Sequence, residues 1–170
     1  QCMIENNHGN YRQYWKEYNI FKWEYPCLKS LREEIYRIYK DYMEALHLQP
    51  ELPESLWIKG WAVCLEEGEE IEQHCHAYHE NAYLSANISF ASGTTTDYVI
   101  PHLSSYYGFW RCQNKKGRVS MFPSWVEHSV ERVKERRYSI GLDIFDFNTM
   151  DYISNNSCLL YTSPSPRDSC

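Results

Sequence analysis

The sequence predicts a mainly β domain, a sandwich or barrel with one amphipathic helix packed on a sheet. Two observations carry this. A single long stripe of apolar residues at helical spacing stands near the start of the chain. After a proline-marked break, eight short strand-like runs follow one another between turn signals as far as Phe145. At 170 residues the chain is long enough for one domain with a real core.

Residues 1–25 are polar and aromatic. Tyr11, Tyr14, Trp15 and Tyr18 recur at three- and four-residue steps, which predicts one short helix in an otherwise irregular segment. Pro26 reads as the first-turn proline of a helix running to about Leu48. Its apolar stripe is Leu28, Leu31, Ile35, Ile38, Tyr42, Ala45 and Leu46, with Lys29, Arg32, Glu33, Arg37, Lys40, Asp41 and Glu44 on the solvated face. Pro50 and Pro53 end it. The strands expected after them span 56–65, 71–76, 83–90, 98–100, 106–112, 118–122, 128–133 and 138–145.

Alternation within two of these runs separates a wet face from a dry one. Tyr83, Ser85, Asn87 and Ser89 share one side, against Leu84, Ala86, Ile88 and Phe90 on the other; Arg137, Ser139 and Gly141 oppose Tyr138, Ile140 and Leu142. The apolar sides suit the helix and core, and the polar sides can line a pocket. Residues 26–150 thus form one domain, and 151–170, rich in serine and proline toward the end, read as a disordered tail. From about Cys158 that tail resembles a translated sequencing-adapter string.

Composition excludes several classes. The 43% hydrophobic and 16% aromatic content, with 15 tyrosines, rules out a disordered chain. A net charge of −6 argues against a nucleic-acid or anionic-membrane binder, and no apolar run has the length of a membrane span. Seven cysteines without CxxC spacing indicate neither a zinc ribbon nor a disulfide framework, so a reducing, cytoplasmic setting is expected. Asn87-Ile-Ser89 and Asn155-Asn-Ser157 fit the glycosylation sequon, a short pattern common by chance. Oligomeric state is not indicated.

Chemistry concentrates in Gly68–Glu80, where three of the seven histidines, His74, His76 and His79, fall within six residues. Alternate-residue spacing puts His74 and His76 on one side of an extended strand, an arrangement that suits a divalent transition metal. A histidine-rich surface strand fits the pair equally well. His128 is the natural third ligand, and Arg137 follows it nine residues later.

His74-Cys-His76, Tyr83-Leu-Ser-Ala-Asn87, Phe122-Pro-Ser-Trp-Val-Glu-His-Ser-Val130 and Arg137-Tyr-Ser-Ile140 together resemble the iron(II)/2-oxoglutarate oxygenases of the double-stranded β-helix (jelly-roll, cupin-like) fold, over roughly residues 56–147. The resemblance implies a dioxygenase that couples oxidative decarboxylation of 2-oxoglutarate by O₂ to hydroxylation of an unidentified substrate. It assigns Fe(II) to His74, His76 and His128. It assigns the distal carboxylate of 2-oxoglutarate to Arg137, with Arg136 the fallback if the register slips by one. Tyr83, Ser85, Asn87 and Ser139 would add hydrogen bonds to the cosubstrate.

Two departures stand out: the second ligand is histidine where the usual facial triad has a carboxylate, and Ala86 replaces a glycine. His79 also stands at a spacing compatible with a ligand. A second resemblance is to metal-binding cupins, through Gly68-x5-His74-x-His76-x3-Glu80 and Gly117-x5-Pro123-x4-His128, which would use His74, His76, Glu80 and His128. Arg137 has no role in that reading. A third is a non-catalytic jelly-roll binding domain with surface or core histidines. Tyr106, Tyr107, Phe109 and Trp110 are candidates for a substrate approach, with strand packing the plainer role.

Overall fold

Proline at the first helical position presets the backbone for a helix, and α1 runs from Pro26 to Ala45 in the computed structural model, which describes residues 19–77, 82–99, 108–146 and 158–159. It ends before Leu48 because His47 adopts a left-handed backbone, with φ of 56°. The His47 amide then bonds the Glu44 carbonyl at 2.9 Å and the Leu48 amide the Met43 carbonyl at 2.9 Å, closing the helix with a Schellman motif. The buried line of α1 is Ile35, Tyr39 and Met43, with Leu28, Leu31, Tyr36 and Tyr42 beside it. The expected stripe is therefore rotated and shortened: Leu46, past the helix end, is half exposed.

Among the described residues nine strands follow: β1 (Leu56–Leu65), β2 (Ile71–His74), β3 (Leu84–Ser89), β4 (Thr95–Val99), β5 (Phe109–Gln113), β6 (Val119–Pro123), β7 (His128–Val130), β8 (Arg137–Asp146) and β9 (Cys158–Leu159). They form two antiparallel sheets, one of five strands in the order β6-β3-β8-β1-β9 and one of four in the order β2-β7-β4-β5. Cys158 and Leu159 pair with Ile58 and Trp57 of β1, where the sequence predicted an unstructured tail; the rest of that tail and the short tyrosine helix before Asn19 lie outside the described residues.

The larger sheet separates its faces as the alternation requires. Leu56, Ile58, Leu84, Ala86, Ile88, Ile140, Leu142 and Ile144 pack with Ile35, Tyr39 and Met43 of α1. Full burial of each such side chain is worth about 1.5–3 kcal/mol, so this layer is the main apolar core. Asn19 ties the segment before α1 to the sheet, donating to the Ile58 carbonyl at 3.0 Å and accepting from the Gly60 amide at 3.1 Å.

The opposite face looks at the smaller sheet. Register sets its side chains in rows across β1, β8 and β3: Lys59–Asp143–Ser85, then Trp61–Gly141–Asn87, then Val63–Ser139–Ser89, with Arg137 beside Leu65. Trp61, Val63 and Leu65 pack with Val130 and Val133 at one end, and Tyr98, Phe122 and Val126 form a third cluster. Between these lies the polar interior.

Candidate metal centre and anion pocket

His74 ends β2 and His128 begins β7, and the antiparallel register sets them directly opposite each other, with ring centroids 4.4 Å apart. His76 arrives differently. It lies beyond β2, on a bend held by its amide, which donates to the Ser124 carbonyl at 3.0 Å. The Ser124 hydroxyl bonds the Ala82 carbonyl, and Val126 N–H closes a turn on the Pro123 carbonyl at 2.9 Å. The Phe-Pro-Ser-Trp turn thus ties down the backbone of the second histidine. Trp125 itself is exposed.

The three rings converge. Centroids of His76 lie 5.3 Å from His74 and 5.1 Å from His128, and one ligating nitrogen from each histidine falls within 4.8 Å of the others. Hydrogen bonds at the far nitrogen fix the tautomers. Nδ1 of His74 donates to the Glu72 carbonyl at 2.8 Å, Nδ1 of His128 to the Val126 carbonyl at 3.1 Å, and Nδ1 of His76 to the Asp143 carboxylate at 2.6 Å. Each Nε2 then carries the lone pair that a metal needs. Burial, reinforced by the neighbouring His74 and His76, pushes the His128 imidazole down to about 3, so it is neutral and ready to ligate at physiological pH.

Arg137 is the second unusual group. It is 3% exposed, and its Nε and Nη1 have no hydrogen-bond partner among the described residues. Burial pulls its pKa below the ordinary value, while interaction with Tyr98 acts the other way. Unpaired buried charge is costly, so an arginine in this state is built for an anion. Further unpaired polar atoms on that side are Oδ1 of Asn87 and Oγ of Ser89. Asn87 donates to the Tyr98 hydroxyl at 2.6 Å, and the ring of Tyr98 lies 6.2 Å from that of His128.

The other expected site residues distribute as follows. Ser85 is buried on the pocket face and donates to Asp143 at 2.7 Å; Ser139 shares that face with Arg137. Tyr83 departs from the expectation. It precedes β3, its side chain packs with the α1 layer, and its hydroxyl bonds Met43 Sδ at 3.4 Å, so it does not share the face of Ser85 and Asn87. Arg136 is exposed and pairs with Glu66 at 2.8 Å, leaving Arg137 as the buried one. Phe109 and Trp110 are exposed on β5. His79, Glu80, Tyr106 and Tyr107 lie outside the described residues.

Sequence reasoning missed Asp143, Tyr98, Trp61 and Lys59. Trp61 covers the backbone of Gly141, where an added Cβ would come within 2.8 Å of the indole, and its ring is 5.6 Å from His76. Lys59 is fully buried opposite Asp143. A lysine flanked by Ile58, Gly60 and Trp61 in a strand otherwise rich in apolar residues was the available signal.

The donor set fits Fe(II), since three neutral imidazoles leave further positions for a chelating oxo-acid and O₂. Arg137, buried with Nε and Nη1 unpartnered among the described residues, fits one carboxylate of a bound anion. No sequence-family model and no curated protein sequence matches the chain. Solved structures do. A prolyl-4-hydroxylase from Pseudomonas putida aligns at 13% identity and a TM-score of 0.52 over 71% of this chain and 66% of that one. An oxidoreductase of the 2OG-Fe(II) oxygenase family from Burkholderia pseudomallei aligns at 15% identity and a TM-score of 0.50 over 64% and 51%. A cupin domain from Bordetella pertussis aligns at 17% identity and a TM-score of 0.40 over 52% and 82%. The chain spans about two thirds of the first protein and half of the second. No helix among the described residues is long and apolar enough to cross a membrane. The chain has a mainly β, double-stranded β-helix fold, similar to those of the solved prolyl-4-hydroxylase and 2OG-Fe(II) oxygenase-family structures.

Proposed function

We propose that the chain is an Fe(II)/2-oxoglutarate-dependent dioxygenase that hydroxylates a substrate not yet identified. The observation that carries this is Arg137: a buried guanidinium with two unpaired nitrogens, in the same interior as three histidines whose tautomers suit a metal. A site that bound only a metal would have no use for it, which is why this reading is preferred to a metal-binding cupin.

Bound Fe(II), 2-oxoglutarate and O₂ would together supply oxidative decarboxylation coupled to substrate hydroxylation. His74, His76 and His128 hold the ion through Nε2. Arg137 pairs with the distal carboxylate of the cosubstrate through charge-assisted hydrogen bonds. Asn87, Ser139 and Tyr98 provide neutral hydrogen-bonding groups on the walls between these anchors, and Trp61 shields one side from water. Tyr98 is well suited to stay protonated there, because burial raises its pKa.

The test is an anaerobic titration of the full chain with Fe(II) and then 2-oxoglutarate, followed by visible absorbance and binding heat. The expected result is a saturable absorbance and heat response to 2-oxoglutarate that Arg137→Ala abolishes. Fe(II) binding with no response to 2-oxoglutarate would refute the oxygenase reading and leave a metal-binding cupin. Failure to bind any metal would leave a non-catalytic domain.

A further inference from the structure

Asp143 is the centre of a polar row that spans the larger sheet. β8 lies between β1 and β3, and the register sets Lys59 on one side of Asp143 and Ser85 on the other. The residue is 1% exposed, and a single oxygen, Oδ1, receives both the Ser85 hydroxyl at 2.7 Å and His76 Nδ1 at 2.6 Å. Ser85 Oγ is itself 3.2 Å from His76 Nδ1, so serine, carboxylate and imidazole form one closed cluster. His76 hangs from the loop beyond β2, and its ring reaches across the interior to this carboxylate on the opposite sheet.

A carboxylate at the core of a sheet is costly unless its bonds are specific, and here one of them holds the only one of the three histidines that no strand positions. His74 and His128 sit in register on β2 and β7, and backbone carbonyls suffice to set their rings. His76 lies off the strands: its amide is held by the Ser124 carbonyl, and its Nδ1 meets the Asp143 carboxylate rather than a backbone carbonyl.

We infer that Asp143 is a positioning residue for the metal centre: its carboxylate fixes His76 as the Nδ1–H tautomer, aims Nε2 at the ion, and places one negative charge a hydrogen bond away from it. This rests on the metal centre proposed above. It also accounts for a histidine at the second ligand position. Three imidazoles bring no charge to a divalent ion, whereas two histidines and a carboxylate bring one; with Asp143 behind His76 the charge is retained but moved one bond outward. A carboxylate behind a ligating imidazole orients it and raises its basicity, and loss of such a partner typically weakens metal binding about 10–100-fold.

Co(II) is the probe, because its d–d absorption reports the ligand field directly. Wild type, Asp143→Asn and Asp143→Leu are titrated with Co(II), with circular dichroism and thermal unfolding of the apo proteins alongside. The expected result is a Kd about 10–100-fold weaker in the variants, larger for Leu than for Asn, with shifted d–d bands. Folded variants that bind Co(II) as tightly as wild type and with the same spectrum, whatever their thermal midpoints, overturn the role of Asp143 while leaving the metal centre standing. A wild type that binds no Co(II) overturns both. Should neither variant fold, long-range ¹H–¹⁵N correlation on the apo wild type decides: protonated Nδ1 at His76 is expected, and protonated Nε2 refutes the inference.

Discussion

Replacing Arg137 by Met should make the apo protein more stable and the cosubstrate-binding site useless, two effects of opposite sign that no purely structural arginine would show. The side chain is 3% exposed, and its Nε and Nη1 have no partner among the described residues. A buried donor without a partner costs about 1–3 kcal/mol, and more when charged. Methionine has similar reach, no charge and enough flexibility to fill the space. The apo variant should therefore gain about 1–3 kcal/mol, which for a chain of this size raises the thermal midpoint by about 2–10 °C. Binding runs the other way. Two charge-assisted hydrogen bonds at about 1.5–3 kcal/mol each are lost, so 2-oxoglutarate should bind about 10²–10⁴-fold more weakly. Thermal unfolding of the metal-free proteins and calorimetric titration of 2-oxoglutarate into the Fe(II)-loaded proteins measure the two separately. A variant that is less stable without ligand, or that binds 2-oxoglutarate within a few-fold of wild type, refutes the reasoning: Arg137 would then be a structural ion with a partner of its own.

Two further perturbations follow from the same interior. His128 is held at about 3 against an ordinary 6.5, so between those values the unfolded chain binds a proton that the folded one excludes, and stability must fall as pH drops through that window, by up to about 1.4 kcal/mol per pH unit. Denaturant midpoints of the metal-free protein between pH 7 and 4 should fall, more shallowly in His128→Gln; an unchanged slope in the variant would show that other groups dominate. Gly141→Ala places a methyl within 2.8 Å of the Trp61 indole, which is packed with Val63, Leu65 and Val130. Overpacking of this kind costs about 1–3 kcal/mol. A lowered thermal midpoint with a shift in indole emission is expected, and wild-type stability would mean that Trp61 moves freely.

The strands were legible because each carries its own alternation. Leu56–Leu65 matches its predicted span, and Ser85/Asn87 against Leu84/Ala86 foretells which side meets α1. What alternation cannot give is register, because the row that joins Lys59, Asp143 and Ser85 is a relation between three strands distant in sequence. Asp143 stayed hidden for that reason, two steps beyond Ser139 on the same face, after Gly141. Tyr98 was hidden by the opposite effect, since a buried aromatic in a short strand reads as packing until its hydroxyl is seen on Asn87. Tyr83 was misplaced because the alternation was extended one residue past the strand's actual start, where the backbone no longer obeys it. The spacing of His74 and His76 suggested one continuous strand. In fact β2 stops at His74, and the bend, the Ser124 carbonyl and Asp143 bring His76 to the same place. The three imidazoles come together by a route other than strand pleating.

Charge unites the two halves of the pocket. The buried described residues with formal charge are Lys59, Asp143 and Arg137; Asp143 is bonded by His76 and Ser85, whereas Nε and Nη1 of Arg137 have no partner among the described residues. Burial holds the His128 ring neutral, so it adds no charge to this interior. A divalent ion bound alone would therefore leave Arg137 without a counter-charge. That is unfavourable for the ion alone and favourable for an ion that arrives with a dianion spanning the two. Under the proposed function, a 2-oxo acid with a second carboxylate would meet this demand, with the histidines holding the metal and Arg137 taking the second carboxylate. One without it would satisfy the metal and leave the guanidinium exposed to the full cost of burial. The unpaired Arg137 is, under that proposed function, what would favour a cosubstrate with a second carboxylate over one without.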